Sequence, residues 1–338
     1  MVTIEKNPNA WRAETPGHDH WPRTARPEDP NKYFIVSVDC HGQEPADLWA
    51  KRIEPRYRHR IPRQEVDKDG VKWQVTEGHR PTKIRELILE GEDKDRNDAG
   101  YIVTERLRDM DLDGIDVELT FPNKGLSMWA TPDPVFSQAM CRVWNDWAME
   151  QYGPHPERMV PVAGIAPGDL EGAIEEVKRA AKMGYRCLTL PNRPVWGSGD
   201  GSELNYNLPH FDELWSTIEE VGLPITLHIS TGKDPRGSRG NGGAVINYAV
   251  HSLSQSLEPV ANFCSSGVLD RFPNLRIATI EAGIGWVPWA LTAMDEAYAK
   301  HHMFAFPKMS MLPSEYYRRN FYASFGEDPP GLALAREW

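Results

Sequence analysis

The sequence predicts the α/β class and, within it, a (β/α)8 TIM barrel, on three observations. Short apolar runs alternate with segments whose apolar residues recur every three or four positions, the pattern of parallel strands covered by helices. Seven such units follow one another from "YFIVSV" to "FYASFGED", and an eighth is missing from the 338 residues. The strands also end in polar residues: Asp39 and His41 on the first, Asn123 on the second, Asn192 on the fourth, His228 and Ser230 on the fifth, Glu281 on the sixth and Ser324 on the seventh. The alternation alone also fits a doubly wound sheet. The polar strand ends decide for a barrel, whose C-terminal strand ends meet at one mouth.

Taken in order, residues 1–32 are rich in Pro, His, Asp and Arg without periodicity and read as an extended N-terminal arm. Trp11 and Trp21 argue that part of it packs, since large rings are costly to leave in water. The barrel domain is expected over 33–338. Its first strand runs into "VSVDCHGQEP", where Asp39 and His41 share one face and Cys40 takes the other. The segment 51–100 is highly charged and contains "DKDGVKWQV", whose Asp-Gly is a hairpin signal. It reads as an insertion over the barrel mouth.

The helix–strand rhythm then sets in. "TERLRDMDLDG" leads to "IDVELTFPN", "DPVFSQAMCRVWNDWAMEQYG" to "RMVPVAGIAP" and "DLEGAIEEVKRAAKMG" to "YRCLTLPN". "LPHFDELWSTIEEVG" leads to "LPITLHIS" and "LEPVANFCSSGVLDRFP" to "NLRIATIEAG". The helices end in Gly or Pro, as helix stops do. The Gly-rich stretch "STGKDPRGSRGNGGAVINYAVHS", which carries His251, suits a mobile lid. It lacks the strand–turn–helix setting of a phosphate loop.

Composition narrows the function. A formal charge of -11 argues against a nucleic-acid surface, and no run of about 18 apolar residues suggests a membrane span. The N-terminus lacks a basic and an apolar leader region, so a cytoplasmic protein acting on a small molecule is expected. Cys40, Cys141, Cys187 and Cys264 are widely spaced, which reads as reduced thiols. Abundant Trp and Tyr make an oligomer the expected state.

His228 lies in a run too apolar to solvate an imidazole. Alone it reads as a core histidine bonded to a carbonyl; with Asp39 and His41 on the same parallel set, the balance moves towards a metal ligand. Nitrogen and carboxylate donors together suit Zn²⁺, with Mn²⁺ or Fe²⁺ as substitutes. Glu281 reads equally as a salt-bridge partner or as a general base at the mouth. Asn123 and Asn192, with Ser230 and His251, line the expected mouth as candidate substrate contacts, although helix capping explains both asparagines. Asp146, between Trp144 and Trp147, reads as helix surface.

The stretches "VSVDCHGQEPADLW", "RLRDMDLDGIDVELTFPN", "LPITLHIST", "SGVLDRFPNLRIATIEAGIGWVPWALTAMDEAY" and "PSEYYRRNFYASFGEDPPGL", in this order, resemble the amidohydrolase-related family. The likeness is to its metal-dependent barrel branch, which includes aminocarboxymuconate semialdehyde decarboxylase and resorcylate-type decarboxylases. It implies metal ligation by Asp39, His41 and His228. The chain departs from that family in three ways. Gln43 stands where a second histidine is frequent, and Glu281 where the decarboxylases carry histidine. The Asp that ends the family's last strand has no counterpart, and Asp328 matches the end of strand seven instead.

The leading expectation is a divalent-metal hydrolase in which ion-activated water attacks a small carboxylate-bearing or cyclic substrate and Glu281 and His228 serve catalysis. Its alternatives are non-oxidative decarboxylation of an aromatic or unsaturated acid, and a non-catalytic subunit or half of a split enzyme. A barrel short of one strand exposes two edges, so a second chain supplying the eighth βα unit is also expected.

Overall fold

A computed structural model describes residues 34–84, 88–100, 102–195, 204–232, 240–301 and 308–335, with positions 25, 28, 238, 303 and 304. Most of the 1–32 arm, including Trp11 and Trp21, lies outside the described residues, as do lid positions 233–237 and 239.

Among the described residues seven parallel strands form one continuous surface. They are β1 (Val36–His41), β2 (Val117–Phe121), β3 in two stretches (Met159–Pro161 and Ala163–Gly164), β4 (Leu188–Leu190), β5 (Ile225–His228), β6 (Ile277–Ile280) and β7 (Phe321–Ala323). Each pairs with its sequence neighbour. At β3 the strand changes partner without leaving the surface. Val162 N–H donates to Thr120 O at 3.1 Å, and Ala163 N–H donates to Cys187 O at 2.9 Å. The register puts His41 opposite Phe121, and Ile280 opposite His228, so the strand ends lie level.

The principal helices among and after the strands are α1 (Val103–Asp113), α2 (Pro134–Tyr152), α3 (Leu170–Met183), α4 (Asp212–Val221), α5 (Leu257–Cys264), α6 (Val287–His301), α7 (Pro313–Asn320) and α8 (Pro329–Ala335). The expected stops hold: α1, α3 and α4 each end on a left-handed glycine, Gly114, Gly184 and Gly222. At its start α2 has Pro134 in the first turn, with Asp133 accepting from Val135 N–H and Phe136 N–H.

Alternation divides each strand. Leu188, Leu190, Ile225, Leu227 and Ile277 pack outward against Trp215, Phe263 and Tyr316 from the helices. Truncating a ring buried like Trp215 to alanine costs roughly 3–5 kcal/mol. Phe121, Val162, Cys187 and Ile280, with Leu119 and Ala278 against them, form a separate small cluster on the opposite face, inside the barrel. Asp146 pairs with Arg179 at 2.6 Å on the helix surface, as read from the sequence. All four cysteines are free, and burial pushes the Cys187 thiol up to about 12.

The charged segment before α1 carries a three-stranded antiparallel sheet (Arg63–Val66, Lys72–Val75, Thr82–Lys83) and a helix, Gly91–Ala99. The hairpin read from "DKDG" is present, with Asp67 accepting from Asp69 N–H and Val71 N–H at 2.9 Å each. Arg60 donates to Glu77 within this segment at 2.8 Å and ties it to Asp133, at the start of α2, at 2.7 Å. The stretch read as a lid differs from expectation. Its described part is largely helical, from Gly243 to Ser256, and it runs directly into α5.

Two edges remain open among the described residues, because β1 pairs only with β2 and β7 only with β6. Ile35 and Val36 are exposed at one edge and Tyr322 at the other. A hollow of about 420 Å³ beside β7 is lined by Val287, Leu291, Tyr317, Phe321, Tyr322 and Leu332 among others.

Candidate metal centre

The level strand ends bring Asp39, His41, His228 and Glu281 together. One ligand atom from each lies within 4.8 Å of the other three. Three of these groups were expected to meet as ligands. Glu281 lies with them, although the sequence reading had placed it at the mouth as a candidate base and not among the ligands. The signal was there, since Glu281 ends β6 as His228 ends β5.

Each side chain is aimed by its surroundings. His41 Nδ1 is bonded to Pro122 O at 2.9 Å, and His228 Nδ1 to Ile229 O at 2.6 Å. A ring nitrogen facing a carbonyl carries the proton, which leaves the lone pair on Nε2. Both Nε2 atoms then point at Asp39 Oδ1, from 3.5 Å for His41 and 3.2 Å for His228. His228 Nε2 is also 3.6 Å from Glu281 Oε2. Phe121, fully buried, lies against the His228 ring at 4.9 Å between centroids, and the two imidazoles stand edge to face at 5.0 Å.

Lone pairs of two imidazoles and two carboxylates facing one point repel one another unless a cation or protons lie between them. Burial alone would raise the Asp39 carboxyl, but the imidazoles of His228 and His41 hold it well below the ordinary range. Burial would lower His41, yet the Asp39 carboxylate raises it above the ordinary imidazole value. Burial raises Glu281, with Asp39 adding to the rise and His228 opposing it. Two nitrogens and two carboxylates suit a divalent transition-type ion rather than the all-oxygen shell of Ca²⁺ or Mg²⁺. The side chain of His228 is 0% exposed and that of Glu281 is 40%, so access is from the Glu281 side.

Outer contacts fix this arrangement. Among the described residues the two non-glycine positions with positive φ are Ser230 (60°) and Glu281 (58°). Such backbone costs of order 1–3 kcal/mol and collects at functional sites. The left-handed turn at Ser230 follows the Ile229 carbonyl that His228 uses, and Ser324 Oγ accepts from Glu281 N–H at 3.0 Å. Asn192, 1% exposed, donates from Nδ2 to His228 O at 3.2 Å, and Thr231 Oγ1 donates to the same carbonyl. That contact makes Asn192 a support for the end of β5.

Asn123 precedes a short 3-10 helix (Lys124–Trp129) without capping it, and its Nδ2 is 3.4 Å from Gln43 Oε1. His251 Nε2 is 3.5 Å from Ser238 Oγ, within the helical stretch after β5. Ser230 is exposed at the mouth. Asp328 accepts from Ile284, Gly285 and Gly331 N–H groups, which makes it a loop clamp, consistent with its not having been counted as a ligand. Sequence reasoning missed Phe121, Arg106, Pro122 and Glu44. Only Phe121 was signalled, by its even spacing from Leu119 on β2.

A match to the amidohydrolase family model spans residues 38–338. The chain belongs to the amidohydrolase family. Among curated relatives, a gamma-resorcylate decarboxylase of Rhizobium sp. (strain MTP-10005) is 26% identical over 200 residues, covering 57% of this chain and 59% of the relative. The chain thus spans less than two thirds of the length of that relative. Among solved structures, an amidohydrolase from Mycobacterium avium subsp. paratuberculosis K-10 aligns with a TM-score of 0.71 at 19% identity, covering 91% of this chain and 87% of that one. A dihydroxybenzoic acid decarboxylase from Polaromonas sp. JS666, solved with manganese and 2-nitroresorcinol, gives 0.55 at 18% identity, with 86% and 78% covered. These neighbours support a barrel-like α/β fold for this amidohydrolase, as the strand pattern predicted. No helix among the described residues is long and apolar enough to cross a membrane.

Proposed function

We propose that this amidohydrolase is a divalent-metal-dependent carboxy-lyase that removes CO₂ from a small aromatic hydroxy acid. The observation that carries the reading is the convergence of Asp39, His41, His228 and Glu281 at the mouth, in a chain whose curated relatives include gamma-resorcylate decarboxylase. A hydrolase, which the sequence alone ranked first, would use the same donors with Glu281 as the base for water; the decarboxylase relatives move it to second place.

Asp39, His41 and His228 are the groups assigned to hold the ion, zinc or manganese. A bound divalent ion there supplies Lewis-acid charge and a template that orients the substrate's oxygens. His228 and His41 keep their Nε2 atoms available because their Nδ1 protons are committed to carbonyls. Glu281, the most exposed of the four, is assigned the proton. Its carboxyl delivers H⁺ to the ring carbon bearing the carboxylate. The bond from that carbon to the carboxylate then breaks, its electron pair stays with the ring, and CO₂ leaves. A proton from water restores Glu281. Atoms and charge balance as aryl carboxylate plus H⁺ giving arene plus CO₂.

Assays of the metal-loaded protein with 2,6-dihydroxybenzoate and related hydroxybenzoates should release CO₂ in step with substrate loss. Incorporation of ¹⁸O from water into a cleaved amide or ester substrate, with no CO₂ from any hydroxybenzoate, would overturn the decarboxylase reading in favour of hydrolysis.

The open edges at β1 and β7 support an eighth βα unit, supplied by polypeptide other than the described residues, that closes the barrel over the hollow beside β7. Residues 1–338 expressed alone should then self-associate or bind the dye ANS, because an unpaired apolar edge seeks a partner. A monodisperse monomer by light scattering that leaves ANS dark would count against this closure.

A further inference from the structure

We infer that Glu44 is a positioning residue for His41, acting through the backbone at the exit of β2. The inference rests on the reading of His41 as a metal ligand. Glu44 is 0% exposed, and its carboxylate faces three backbone N–H groups. Oε1 accepts from Asn123 N–H at 2.9 Å and Gly125 N–H at 3.0 Å, and Oε2 accepts from Lys124 N–H at 3.1 Å. Lys124 Nζ completes the clamp by donating to the Glu44 backbone carbonyl at 2.8 Å.

Three donors from successive residues fix the peptide planes of that turn. The residue just before them is Pro122, whose carbonyl holds His41 Nδ1 at 2.9 Å. Glu44 lies three residues after His41 in sequence, so the loop leaving β1 returns to grip the loop leaving β2. That grip sets the carbonyl that sets the ring. The tight approach requires glycine at position 125, where an added Cβ would stand 2.6 Å from Pro122 Cβ and 3.1 Å from Glu44 Oε1.

A carboxylate is expensive to bury, and burial raises the Glu44 pKa even though the N–H groups work in the other direction. A neutral amide in its place would avoid burying a charge but would offer a single acceptor oxygen. A carboxylate alone offers acceptors on both oxygens, so all three N–H groups are held together. Arg106 secures His41 from the other side. Its guanidinium donates to His41 O at 2.6 Å while paired with buried Glu118. With the main chain of His41 held by Arg106, the ring is aimed at Nε2 by Asp39 and at Nδ1 by the Pro122 carbonyl, and Glu44 acts through the second of these.

The test compares wild type, Glu44→Gln and Glu44→Ala by long-range ¹H–¹⁵N spectra of the imidazoles and by competition titration with Mn²⁺. In the ion-free protein Glu44→Ala should move the His41 ring nitrogens towards a mixed tautomer. The His228 ring, held by Ile229, should keep its signals. Mn²⁺ affinity should fall about 10–100-fold, the usual effect of losing an outer partner of a ligand. Glu44→Gln, which keeps one acceptor oxygen, should fall between.

A general loss of stability would lower the melting temperature and disturb both rings alike, and that result overturns the proposal. Unchanged His41 signals and Mn²⁺ affinity in folded Glu44→Ala also overturn it. If Glu44→Ala does not fold, Glu44→Gln decides by the same two readouts. Should wild type bind no Mn²⁺, the metal assignment fails, while the tautomer comparison still decides whether Glu44 orients His41.

Discussion

His228→Ala is expected to leave the protein without its ion. The imidazole is fully buried and its Nε2 faces both carboxylates, so its removal deletes one of the nitrogen donors that converge there. Metal analysis after gentle purification should find about one ion per wild-type chain and under about a tenth in the variant, since a usable site holds its ion. The ring also contacts Phe121, so a volume-matched His228→Gln is the better control for packing. If His228→Ala retains metal and merely melts earlier, the histidine is a core residue and the catalytic reading fails with it.

Loading should also depend on pH in a fixed direction. His41 is held above the ordinary imidazole value, so a proton occupies it over a wider range on the acid side. That proton must leave before Nε2 can coordinate, so affinity rises with pH and binding releases H⁺. Equal affinity on both sides of neutrality would contradict this. A wild-type chain that takes up no Zn²⁺ or Mn²⁺ at any pH would favour the silent-subunit expectation.

The second large effect is on turnover. Glu281→Gln should retain the ion on Asp39, His41 and His228 but lower kcat by about 10²–10⁴-fold, the range for removing a positioned acid or base. Glutamine keeps the size and the Ser324 contact to the backbone N–H while removing the transferable proton. Steady-state rates with metal content measured on the same samples separate the two roles available to Glu281. Loss of the ion together with activity would make it a fourth ligand, and unchanged activity would remove it from the chemistry.

Much of this protein was legible in its sequence. The seven strands and their helices lie where the apolar periodicity placed them, because burial on two faces leaves a continuous apolar run and burial on one leaves a three-to-four repeat. Asp39, His41 and His228 could be grouped because parallel strands bring their C-terminal ends to one side. The same rule placed Glu281 there, but nothing local showed whether its carboxylate would face an arginine or two imidazoles.

Other features depended on loops returning from far along the chain. Glu44 meets the N–H groups of Asn123, Lys124 and Gly125 about 80 residues away, and no periodicity encodes that meeting. Asn192 had the composition of a cap and was found supporting His228. The stretch after β5 had the glycines of a loose loop, yet its later part is helical against α5. The sequence by itself determined the barrel strands and the donor types at their ends, since side-chain period and apolar burial are local properties. Only the tertiary structure decided which donors share a cation's volume and which buried groups aim them, because those distances depend on the closure of strands and loops far apart in the chain.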